Sequence, residues 1–179
     1  SLPAISIGME KSNRDLLKDK PRGKNESILN KDFLLGIGFE GLLIAIFTMV
    51  AFYIGNPKET PLTASTMAFA TLCLARLFHG FNCRGKGSIF KLGVFSNKYV
   101  WYAFGVGLVL LNAVLFVPFL QNLFEVENLA FNQYVSIYVL AFIPTLIIQL
   151  KKVIFEFIEN KKSKNNANIN RSGELKDIA

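Results

Sequence analysis

Arg76, His79 and Glu40 are the residues of this sequence whose chemistry conflicts most with their surroundings. Arg76 lies in the apolar run LCLARLFHGF, Leu72 to Phe81, with His79 three positions further on. On a helix that spacing puts both on one face. A charge at the centre of a bilayer costs about 2.5–3.5 kcal/mol on insertion scales, so an arginine in such a run needs a reason. Three reasons are open: a side chain that snorkels to water, one half of a buried pair, or a neighbour of an ion path. Arg76 is seven residues from Cys83, about 10 Å at 1.5 Å per residue, and a long side chain covers part of that distance. Glu40 sits seven residues inside a second apolar run that begins at Phe33, at a similar depth, and is the pair candidate for Arg76. His79 could relay a proton or hold a hydrogen bond near the membrane interface.

Other chemistries find no residues to carry them. One histidine and two cysteines, Cys73 and Cys83, give neither a zinc spacing nor a disulfide framework. There is no Gly-rich phosphate loop, no HExxH motif, no nucleophile with a companion histidine and no nucleic-acid motif. The chain by itself is therefore expected to be no enzyme, to hold no cofactor and no complete metal site, and to bind no nucleic acid.

The elements that must position these residues are apolar spans. The chain has 179 residues, 51% of them hydrophobic, yet carries 20 Lys and Arg and 13 Asp and Glu. These totals fit together when the charges are confined to loops between membrane spans. Four runs reach the roughly 20 residues a bilayer requires: 33–54, 62–83, 99–120 and 131–150. The expected fold is all-α and integral to the membrane, four helices in two antiparallel hairpins, with lipid as a partner. Gly36, Gly38 and Gly41 in the first span and Gly105 and Gly107 in the third would permit close helix approach, and Asn112 in mid-span would bridge helices. Pro144 would kink the fourth span.

Charge sets the orientation. Residues 9–32 hold seven Lys and Arg, residues 84–98 hold four and no acid, and the stretch from Lys151 holds seven. The two remaining loops hold Lys58 against Glu59, Glu125 and Glu127. By the positive-inside rule, segment 9–32, loop 84–98 and the C-terminus face the cytoplasm. Tyr99, Trp101 and Tyr102 then lie at the inner interface. The polar, Asn-rich stretch within 151–179 is expected to be a largely disordered cytoplasmic tail.

The opening SLPAISIGMEK has no initiator Met, basic n-region or cleavage pattern, and reads as the end of an apolar segment belonging to a longer protein. Residues 1–8 would be the end of a preceding membrane helix and 9–32 a cytoplasmic connector. Leu2-Pro3-Ala4, Gly8, Asp15-Leu16-Leu17 and Pro21-Arg22 resemble the end of the sixth membrane helix and the following loop of P-type cation-transporting ATPases. Thr66-Met67-Ala68-Phe69 and Phe81-Asn82 resemble the start and the inner end of that family's eighth helix.

The resemblance implies that 33–150 holds the last four helices of a ten-helix pump, in most respects like a bacterial calcium-transporting ATPase of the plasma membrane. It implies ATP and Mg2+ as ligands of the parent protein, Ca2+ as its cargo, and the other helices and cytoplasmic domains as partners. Asp15, Leu16, Leu17, Pro21 and Arg22 would connect to the phosphorylation domain. In muscle calcium pumps the eighth helix carries an ion-binding glutamate, and matching Thr66-Met67-Ala68 to that helix puts Arg76 at its position. Arg76 would then stand beside the cation site as a built-in counter-charge, in a pump moving one calcium per cycle. A pump for another cation and an independent four-span channel or scaffold are the alternatives. Four helices without their partners could also pair as a non-native dimer.

Overall fold

A computed structural model describes residues 2–10, 31–85 and 87–176. The connector residues Asp15, Leu16, Leu17, Pro21 and Arg22 lie outside the described residues. The fold is helical. The helices are α1 (Leu2–Gly8), α2 (Lys31–Ile54), α3 (Pro61–Asn82), α4 (Ile89–Leu92), α5 (Lys98–Phe116), α6 (Pro118–Phe124) and α7 (Phe131–Lys176). Four of them are long and apolar enough to cross a membrane, over Phe33–Ile54, Pro61–Asn82, Lys98–Phe116 and Phe131–Ile158. A helix suits such sequences because it satisfies every main-chain N–H and C=O within the segment, which lipid cannot do.

α3 is the centre of the bundle. It packs on α1, α2, α5 and α7. Its inward positions are mostly small: Ala64, Thr66, Ala70, Thr71, Ala75 and Gly80 are buried, with Met67 and Leu74 filling the gaps. Small residues let helix backbones approach where lipid gives no hydrophobic push. Met67, Ala70, Leu74 and Ala75 form one cluster with Ala51 of α2, Leu111 and Leu115 of α5, and Ile137 and Ala141 of α7.

The α2–α3 hairpin turns at 55–60. Gly55 is required there, since a Cβ would lie 2.4 Å from the Ala64 Cα. Thr60 Oγ1 donates to the Gly55 carbonyl at 2.7 Å and Pro61 opens α3, a position where its missing N–H costs nothing. α5 and α7 each lie on α3 and meet one another through side chains. Asn112 Nδ2 donates to Tyr138 Oη at 3.1 Å, Tyr134 Oη donates to Asn112 Oδ1, and Phe116 packs on Tyr134 with ring centroids 5.2 Å apart.

Two helices differ from the spans read from sequence. The expected span 99–120 is broken at Val117, which is extended at φ −86° and ψ 117°, with Pro118 starting α6. A proline disfavours helical backbone in the residue before it and supplies no N–H. α7 continues beyond Leu150 to Lys176, where a tail without regular structure was expected. The apolar residues Val153, Ile154, Phe155, Phe157 and Ile158 prolong its spanning part to 28 residues, about 42 Å of helix against a hydrocarbon layer of about 30 Å.

Candidate functional site

α3 carries Arg76 and His79 one turn apart, α2 brings Glu40 opposite them, and α7 brings Lys152. The four line one cleft of about 730 Å³ together with Asn82 and Cys83. Within it Glu40 meets His79, not Arg76: Glu40 Oε2 is 3.4 Å from His79 Nε2, and both side chains are only partly exposed. Lys152 Nζ donates to the main-chain carbonyls of Asn82 and Gly85 at 2.5 and 2.8 Å. Its neighbour Lys151 stands 4.3 Å from the Phe39 ring centroid, a cation–π contact.

Arg76 is exposed and makes no hydrogen bond or ion pair among the described residues. It stands between the Glu40–His79 cleft and a second, apolar groove of about 360 Å³ lined by Pro3, Phe69, Cys73, Leu77 and Leu111. Pro3 of α1 and Arg76 of α3 thus line one groove. Pro3 also meets α3 at Gly80, where an added Cβ would stand in ordinary contact, 3.7 Å from the Pro3 Cβ. Among the described residues, no three His, Cys, Asp or Glu side chains stand close enough to hold a metal ion. The arrangement offers a fixed positive charge and an acid–imidazole pair beside it, groups that can repel a cation or exchange a proton.

The glycines divide. Gly107 lies against α3, where an added Cβ would come within 2.5 Å of Leu77 Cδ2. Gly36, Gly38, Gly41 and Gly105 have nothing within 4 Å of that position among the described residues. α2 exposes Phe33, Leu34, Leu35, Ile37, Leu42 and Ile46, a surface for lipid or for helices outside the chain.

A second polar centre, around Arg84, is not legible in the sequence. Arg84 has a fully buried side chain and grips Glu10 with both arms, Nε to Oε2 at 3.0 Å and Nη2 to Oε1 at 2.7 Å. These hydrogen bonds hold the Glu10 carboxyl below the usual carboxylate range, against the opposing effect of burial and with help from Asn97. Asn97 Nδ2 donates to Glu10 Oε2 at 2.7 Å and to the Ser6 carbonyl at 3.0 Å, while its Oδ1 caps α5. In sequence Arg84 is one basic loop residue among four, and its partner is 74 positions away. The only hint is the Asn97 cap position just before the apolar run.

At the opposite end of the bundle, Thr63 Oγ1 donates to Glu127 Oε2 at 2.6 Å, and the Glu127 N–H donates to Thr66 Oγ1 at 3.0 Å. Thr66, part of the Thr-Met-Ala segment, thus ties the 125–130 loop to the start of α3.

The family described as cation transporting ATPase, C-terminus, matches residues 1–154. The chain is 31% identical over 173 residues to calcium-transporting ATPase 1 of Bacillus cereus, covering 86% of this chain and 19% of that protein. It is 35% identical over 156 residues to calcium-transporting ATPase 1 of Lactococcus lactis, covering 86% and 18%. It is 42% identical over 117 residues to a calcium-transporting ATPase of Listeria monocytogenes, covering 65% and 13%. The chain thus spans less than a fifth of the length of these curated relatives. Its four apolar helices and the family match over residues 1–154 together establish that the chain belongs to the C-terminal membrane domain family of P-type cation-transporting ATPases.

Proposed function

We propose that the chain is the C-terminal membrane domain of an ATP-driven calcium pump, and that Arg76 stands beside its cation site as a fixed counter-charge. The relatives' names support calcium as the cargo. The observation that carries the role of Arg76 is its place: an unpaired guanidinium, among the described residues, on the groove it shares with Pro3 of α1. A guanidinium keeps its charge at any physiological pH and cannot ligate a cation. It therefore excludes a second ion and balances the acids of a first when that ion leaves. Glu40 and His79 in the adjoining cleft add a pair able to exchange protons.

In this reading ATP and Mg2+ belong to domains of the parent protein, and the exposed faces of α2 and α7 meet lipid and the remaining helices of the pump. The 9–32 segment, the 84–98 loop and the C-terminus are cytoplasmic, and the membrane is a bacterial plasma membrane. A pump for another cation is the second reading within the family. The family match favours this reading over an independent four-span module.

The test is ATPase activity and vesicle uptake by the full-length pump, with Arg76→Glu alongside the wild type. We expect calcium-stimulated turnover in the wild type. In Arg76→Glu we expect a steeper calcium dependence and more calcium carried per ATP, because a ligand replaces a repelling charge. Unchanged steepness and ratio in Arg76→Glu would place Arg76 away from the ion.

A further inference from the structure

We infer that Glu10 and Arg84 form a positioning clasp that locks the end of α1 to the α3–α5 connection, so that the two move as one body. A buried guanidinium has five N–H donors to satisfy, and here each arm has an acceptor. Besides Glu10, Nη2 donates to Ser96 Oγ at 2.5 Å, and Nη1 donates to the Gly93 and Val94 carbonyls at 3.0 and 3.4 Å. Asn97 closes the clasp from the other side by holding Ser6 and Glu10 while it caps α5.

The same connection is pinned to α7. Glu156 accepts from the Ser88 N–H at 2.6 Å and from Ser88 Oγ at 2.8 Å, and Gln149 Oε1 accepts from the Ile89 N–H at 3.1 Å. Lys152 holds the carbonyls of Asn82 and Gly85. The described residues of the 83–97 connection are therefore held to α1 through Arg84 and Asn97 and to α7 through Ser88, Ile89 and Gly85. Whatever displaces the chain after Glu10 displaces this connection, and through it the end of α3 that carries Arg76 and His79. Arg84 is fully buried whereas Glu10 is partly exposed, so removing the carboxylate leaves a buried guanidinium without its ion-pair partner.

The test is made on the full-length pump in lipid, in a cysteine-free background with spin labels at Met9→Cys and Phe95→Cys, two exposed positions on either side of the clasp. In the otherwise wild-type pump we expect one narrow label separation, unchanged whether calcium is present or chelated. Arg84→Gln and Glu10→Gln should each broaden it, the double variant no further than either alone, and Arg84→Lys less than Arg84→Gln, since lysine keeps the charge but not the two-armed grip. A separation that changes with calcium in the wild-type background overturns the inference even where a variant fails to fold. So does a distribution left narrow by Arg84→Gln.

A second readout, the calcium dependence of phosphorylation by ATP, rests on the pump reading. There we expect a several-fold shift in apparent calcium affinity, non-additive between the two residues. An additive shift or none, in a pump that calcium does activate, counts against the clasp. A pump that calcium fails to activate counts against the proposed cargo and leaves the label separation to decide the clasp.

Discussion

At the residue scale two arginines, Arg76 and Arg84, are put to different uses. Arg84 is buried and fully paired, whereas Arg76 is exposed and unpaired among the described residues. The Arg84–Glu10 pair carries a pH dependence whose sign is fixed. Glu10 has a lowered carboxyl pKa in the folded chain. Its contribution to stability is then complete above the unfolded value of about 4.3 and is lost as pH falls through the folded value. The groups that face it are Arg84, Asn97 and Ser96. Thermal unfolding in detergent should therefore show a midpoint that drops below the usual carboxylate range in the wild type, and drops less in Glu10→Gln. Equal acid sensitivity in both would mean that other carboxyls govern it.

At the element scale, the spans were legible because long apolar runs can only become helices in lipid. The break at Val117 was written in the sequence as Val-Pro inside an apolar run, a local signal that the run's overall hydropathy masks. The extension of α7 was hidden for the opposite reason. Lys151 and Lys152 mark an interface by charge, yet the apolar residues after them carry the helix on. Arg84 and Glu10 were illegible because basic residues between spans look alike until a fold brings a partner from 74 residues away. The hairpin supplies a direct check. Gly55→Val would drive a side chain into the backbone at Ala64, costing about 1–3 kcal/mol or more of overpacking. Gly107→Ala meets only the tip of Leu77 and should cost less. Unfolding midpoints of the two variants measure the difference, and equal losses would contradict the turn geometry.

At the scale of the whole molecule, the described helices share out two ends. One gathers Glu10, Asn82, Arg84, Asn97 and Lys152, and the other gathers Thr63, Gln121 and Glu127. If, as proposed, the positive end faces the cytoplasm, Lys58→Cys in a cysteine-free background should react with a membrane-impermeant maleimide on intact cells. Lys98→Cys should react only after permeabilisation. The reverse pattern would invert the orientation.

The central claim, that this domain serves a calcium pump, is tested most directly by calcium uptake into inverted membrane vesicles carrying the full-length protein. The account predicts ATP-driven uptake that is abolished by a calcium ionophore, with one calcium carried per ATP consumed. ATP hydrolysis indifferent to calcium, with no uptake, would contradict it.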